Sequence, residues 1–99
     1  KASMMALEMA RVPTGNAARY MQQLCKHWSH KLDVVLDGST GTVRFPDAVA
    51  TMTAEADALV VAVEAADEET VQRAKGVVAR HLDRFAFREA PLRFDWSKG

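Results

Sequence analysis

A single cysteine, Cys25, stands among 99 residues, so no internal disulfide can form. A lone thiol in such a chain suits a reducing, cytoplasmic setting. There is no excess of either charge: 13 basic residues balance 13 acidic ones. That balance argues against a nucleic-acid binder that works by neutralising phosphates. No apolar run approaches the ~20 residues of a membrane span. P-loop, Rossmann glycine, nucleophile-elbow and HExxH patterns are all missing, and no cofactor or metal is expected. The start, "KASMMALEM", lacks a signal-peptide core; residues 1–5 read as a tag remnant or disordered start.

What is present is an ordinary globular balance, 48% hydrophobic and 26% charged, enough for one core in one domain over residues 6–96, with 97–99 as a tail. Residues 6–12 alternate weakly and stop at Pro13, which predicts a first strand of uncertain inward parity. Thr14 is placed to cap a helix from about Gly15 to Ser29, in which Ala17, Met21, Leu24 and Trp28 form an apolar stripe. "LDVVL" predicts a strand with Leu32, Val34 and Leu36 on one face. The turn formers Asp37–Gly41 predict a hairpin loop, and "TVRF" returns. "AVATMT" and "ALVVAVEA" pair across a turn at Glu55–Asp57, with Leu59, Val61 and Val63 inward. Asp67 caps a second helix whose stripe is Val71, Ala74, Val78, Leu82 and Phe85. The alternating "PLRFDW" reads as an added strand or a pinned tail.

The resulting order, β-α-β-β-β-β-α with an optional final strand, predicts an α+β fold: an antiparallel sheet with two helices on one face, a TATA-binding-protein-like topology that implies no DNA binding. On the opposite face Val35, Val60 and Ala62 lie beside Thr42, Arg44 and Thr51, apolar enough to suggest a homodimer interface unless the tail covers it.

"QLCKHWSHK" has the look of a metal motif, but helical angles separate its members. Cys25 and His27 point about 200° apart, whereas His27 and His30 can share a side. Two ligands at that spacing do not make a site, and a histidine pair near a helix C-terminus suits the helix dipole. Cys25 reads as a small hydrophobe bordering the core rather than a nucleophile. Tyr20 and His27 flank the first stripe, and His81 flanks the second. If the helices lie side by side, these three form a polar pocket bordered by Arg84 and Trp28. Arg84, Arg88 and Glu89 cluster where the second helix ends; they read as a dipole complement with a local ion pair, or as an anion-binding arginine pair extended by Lys26 and Lys31.

The blocks "ARYMQQLCKHWSHK" and "VVARHLDRFAFREA", with the closing "FDW", resemble a bacterial family of short proteins of unknown function over nearly the whole chain. The resemblance implies domains that stand alone or accompany siderophore-interacting, ferric-chelate-reductase-like flavoproteins. Some relatives carry the name of a dihydroxyheptenedioate aldolase. That class resembles (β/α)₈ barrels of about 250 residues, so the resemblance carries no catalytic residue onto this chain. The polar positions inside the blocks are the candidates for ligand binding: Tyr20, His27, His30, Lys31, His81, Arg84, Arg88 and Glu89. The expectation is a small cytoplasmic binding or accessory domain for iron-siderophore metabolism. It would take a small anionic ligand or a flavin-dependent ferric-siderophore reductase as partner. The alternatives are a small lyase, isomerase or hydrolase using His27 or His81 with Tyr20, and a structural dimerisation module.

Overall fold

A computed structural model of the chain describes residues 5–98. Residues 1–4 of the expected tag remnant and Gly99 of the expected tail lie outside them. The elements run β1 (Ala6–Pro13), α1 (Ala17–Trp28), β2 (Asp33–Asp37), β3 (Thr40–Arg44), β4 (Ala48–Ala54), β5 (Ala58–Ala65), α2 (Glu68–Phe85) and β6 (Ser97–Lys98). The fold is α+β, as the sequence predicts. Six antiparallel strands lie in the order β2-β3-β4-β5-β1-β6. Short turns make β2 to β5 a meander, and β1 closes onto β5 through the pairs Ala6↔Ala65 to Pro13↔Ala58.

The pleat sends alternate residues to the two faces. Leu59, Val61 and Val63 of β5, Ala50 and Met52 of β4, and Val43 of β3 point at the helices and are fully buried. From above, Met21, Leu24, Val71, Val78 and Leu82 complete the same core. In β1 the inward set is Glu8, Ala10 and Val12. An acid at an inward position is why alternation alone did not decide that strand's parity. Asp67 caps α2 by accepting a hydrogen bond from the Thr70 amide at 2.8 Å, with Glu68 and Glu69 in the first turn.

Four local expectations need correction. The hairpin loop is shorter than Asp37–Gly41: only Gly38 and Ser39 connect β2 to β3, and Gly38 takes the positive φ of 60° that the tight turn requires. Gly41 is a buried strand residue instead. A Cβ there would lie 2.7 Å from the Cys25 sulfur, so β3 approaches α1 this closely only with glycine. Leu36 is 47% exposed, because it sits at the hairpin end of an edge strand. The helix start lies at Asn16, whose side chain makes no cap bond; Thr14 is two residues too early and has other partners.

Of the two expectations for the C-terminal segment, residues 92–96 follow the pinned tail, whereas Ser97 and Lys98, expected as a tail beyond the domain, supply the added strand. Leu92 to Trp96 form no strand; only Ser97 and Lys98 pair, with Met9 and Glu8 of β1. The segment is pinned by side chains. The Leu92 amide donates to Asp83 Oδ1 at 2.9 Å, and Phe94 stacks on Trp96 with ring centroids 5.7 Å apart. Lys75 of α2 lies over the Trp96 ring, 5.2 Å from its centroid. The tail therefore runs along the helical side and leaves the other sheet face open. There Val35, Thr42, Thr51, Ala62 and Met9 form one cross-strand row.

Candidate functional site

Helices α1 and α2 pack side by side over the sheet, and their stripes leave Tyr20, His27, His81 and Phe85 at the seam. Phe85 belongs to two neighbouring clefts. One, of about 190 Å³, is lined by His27, His81, Arg84 and Phe85. The other, of about 350 Å³, is lined by Arg19, Tyr20, Gln23, Phe85, Phe87 and Arg88.

In the smaller cleft the rings of His27 and His81 lie 5.6 Å apart, centroid to centroid. Trp28 packs on His81 at 4.9 Å and Phe85 on His27 at 5.8 Å, so both imidazoles have an aromatic wall. His81 Nδ1 lies 2.7 Å from the Val77 carbonyl oxygen. A carbonyl only accepts, so this contact requires the proton on Nδ1 and leaves Nε2 of the neutral ring with its lone pair free. The seam thus brings His27, His81 and Arg84 together, which the sequence left conditional on side-by-side helices; Tyr20, expected in the same pocket, is not in it.

Tyr20 and Arg88 belong to the other cleft. Tyr20 is buried, and its hydroxyl donates to Glu89 Oε2. The same oxygen accepts from Asn16 Nδ2 at 2.9 Å and from Thr14 Oγ1 at 3.1 Å. Glu89 is therefore tied to three neutral donors at the start of α1, not to Arg88. Helix α1 has no acid in its own first turn; a carboxylate from the far end of the chain supplies one beside its N-terminus. The hydrogen bond from Tyr20 holds the Glu89 carboxyl below the ordinary glutamate value, helped by Asn16. The same bond, followed by burial, raises the Tyr20 phenol.

His30 and Lys31 follow α1, are exposed and line neither cleft. Cys25 is fully buried rather than bordering the core, and burial raises its thiol. Arg19, Gln23 and Phe87 belong to the two sequence blocks but were not singled out as ligand-binding candidates. The signal for the first two was available: at i and i+4 they share one side of α1 with Tyr20 beside them. Phe87 lies beyond the helical period, where no spacing rule applies. Arg11, Arg44 and Arg73 have carboxylate partners within 4 Å, whereas among the described residues Arg19, Arg84 and Arg88 have none. Nor do any three His, Cys, Asp or Glu side chains gather as a metal site among the described residues. No helix among them is long and apolar enough to cross a membrane.

Residues 9–97 match the model of a family described as "Uncharacterized protein conserved in bacteria (DUF2218)". Among solved structures, the chain is similar to PA4090 from Pseudomonas aeruginosa, determined by NMR. The two are 34% identical, the match covers 93% of this chain and 95% of that one, and the TM-score is 0.80. No curated protein matches the chain.

Proposed function

Because the chain belongs to this uncharacterised bacterial family, whose name assigns no activity, we propose its function from the groove itself: a binding domain for a small anionic ligand with an apolar or aromatic portion. One observation carries the reading. Arg19 of α1 and Arg88 beyond α2 line one cleft with two phenylalanines, and neither has a carboxylate partner among the described residues. Guanidinium groups in that position suit a carboxylate or phosphate, which they can grip through paired N–H donors. Phe85 and Phe87 offer ring surface for the ligand's apolar part, and Gln23 adds a neutral donor and acceptor.

The test is an NMR titration with inorganic phosphate and with benzoate. Amide shifts clustered at Arg19, Gln23, Phe87 and Arg88, abolished in an Arg19→Gln/Arg88→Gln double variant, support the reading. Shifts scattered over all basic residues, and unchanged in that variant, sink it. The accessory role beside a flavin-dependent ferric-siderophore reductase in the cytoplasm rests on the resemblance of the two helical blocks. Co-purification with such a flavoprotein tests it.

A second reading, a homodimer through the open sheet face, is favoured by Val35 and Met9, 53% and 38% exposed at opposite ends of one cross-strand row. Sedimentation showing monomer at every concentration would remove it. The acid–base enzyme reading retains His27 and His81 together but has Tyr20 bonded to Glu89 in the other cleft, away from both.

A further inference from the structure

We propose that His27 and His81 form a two-histidine site for a first-row divalent ion that favours imidazole, such as Zn²⁺, Ni²⁺ or Cu²⁺. The site is separate from the arginine cleft and does not rest on the anion reading. The pair arises only in three dimensions, since the residues come from different helices.

Three observations converge on it. The first is separation. Nitrogen–metal bonds of about 2.0–2.1 Å place the ring centroids of two imidazoles on one ion roughly 4.5–5.5 Å apart. The observed 5.6 Å lies within a small rotation of that range, and His27 is exposed and free to make it. The second is the tautomer. Ligating histidines typically donate their other ring N–H to a carbonyl or carboxylate, which orients the ring and raises the basicity of the ligating nitrogen. His81 already does this: Nδ1–H meets the Val77 carbonyl at 2.7 Å and Nε2 is the lone-pair atom. The third is the surround. Trp28 and Phe85 wall the two rings, and the cleft before them holds about 190 Å³. That volume has space for an ion and the waters completing its shell.

Two protein ligands leave at least two coordination positions open. Arg84 lines the same cleft, so the open positions suit an oxygen-donor anion whose charge the guanidinium meets. An imidazole-preferring borderline ion fits this donor set; Mg²⁺ and Ca²⁺, which want oxygen ligands, do not.

The experiment is a titration of the whole chain with Zn²⁺ and Ni²⁺ near neutral pH, by calorimetry and, for Zn²⁺, by long-range ¹H–¹⁵N spectra of the imidazoles. The expected result is one ion per chain, with ring resonances of His27 and His81 shifting together and those of His30 unmoved. His27→Ala and His81→Gln should each weaken binding by at least about tenfold, while His30→Ala stays within about twofold of the parent. His27 is exposed, so its replacement leaves the fold intact and keeps the test decisive even if His81→Gln is unstable. Unmoved His27 and His81 rings at about hundredfold excess of ion would overturn the proposal, as would binding that survives His27→Ala or follows His30.

Discussion

Glu8 and Glu89 are both carboxylates pulled below their ordinary range, yet the chain satisfies them by opposite means. Glu8 sits buried on the helix side of β1 and receives an ammonium: Lys75 Nζ lies 2.7 Å from Oε1, and Gln72 Nε2 donates to Oε2 at 2.9 Å. Its carboxyl is lowered chiefly by the bond from Lys75, against the opposing effect of burial. Glu89 follows Arg88 in sequence, but among the described residues its donors are all neutral: Thr14, Asn16 and Tyr20. The first arrangement is a closed account: one charge, one countercharge, little water. Among the described residues Arg19, Arg84 and Arg88 have no carboxylate partner. In this molecule a buried charge that serves the fold is cancelled within the fold. Three arginines without such a partner line the two clefts at the seam between the helices.

This contrast can be broken at either end. The largest effect is expected from Glu8→Ala, which strands the Lys75 ammonium with little exposure and should lower stability by about 3 kcal/mol, read from urea unfolding. A Glu8→Gln/Lys75→Met pair should recover much of that loss, since it removes the charge and its partner together. A smaller effect, about 1 kcal/mol, is expected from Tyr20→Phe, because the Glu89 carboxylate is partly solvated and keeps two other donors.

The pH dependence follows from the direction of the shifts. Both glutamates are depressed in the folded state, so the stability they contribute is present above the ordinary glutamate value. It drains away as pH falls through their folded values. Tyr20 is raised, so its contribution is present below the ordinary phenol value and is lost as pH rises through the folded one. Tyr20→Phe should therefore flatten the alkaline limb of a stability–pH curve and soften the acid one, whereas Glu8→Gln alters the acid limb alone. The smallest effect on stability, within about 0.5 kcal/mol, is expected from Arg19→Gln and Arg88→Gln. If either destabilises the chain by more than that in thermal melts, these arginines belong to the fold and the contrast fails.

Much of the fold was readable because local period and tertiary burial agree. In the second stripe Val71, Ala74, Val78 and Leu82 are buried as their spacing predicts, while Phe85, expected with them, is half-buried and lines the clefts; the alternation Leu59, Val61, Val63 is buried throughout. The meeting of His27 with His81 was legible only as a condition: both lie on stripe flanks, and they meet because the helices pack side by side. What escaped depends on return paths of the chain. Nothing local to Glu89 shows that the segment after α2 folds back to the beginning of α1, 73 residues earlier at Asn16. Thr14 was assigned to a cap because a hydroxyl before an apolar stripe usually caps; here the same hydroxyl accepts from the Asn16 amide and donates to Glu89. Gly41 resembled a turn former because the sequence does not reveal which helix passes over it.

The closeness of Gly41 to Cys25 has a use beyond packing. With the sulfur under β3 and the residue 1% exposed, a thiol reagent reaches it only when α1 lifts from the sheet. The chain's sole thiol therefore keeps time for the core. In excess reagent, its labelling rate counts how often this domain opens, and each variant above can be ranked by that count without any added denaturant.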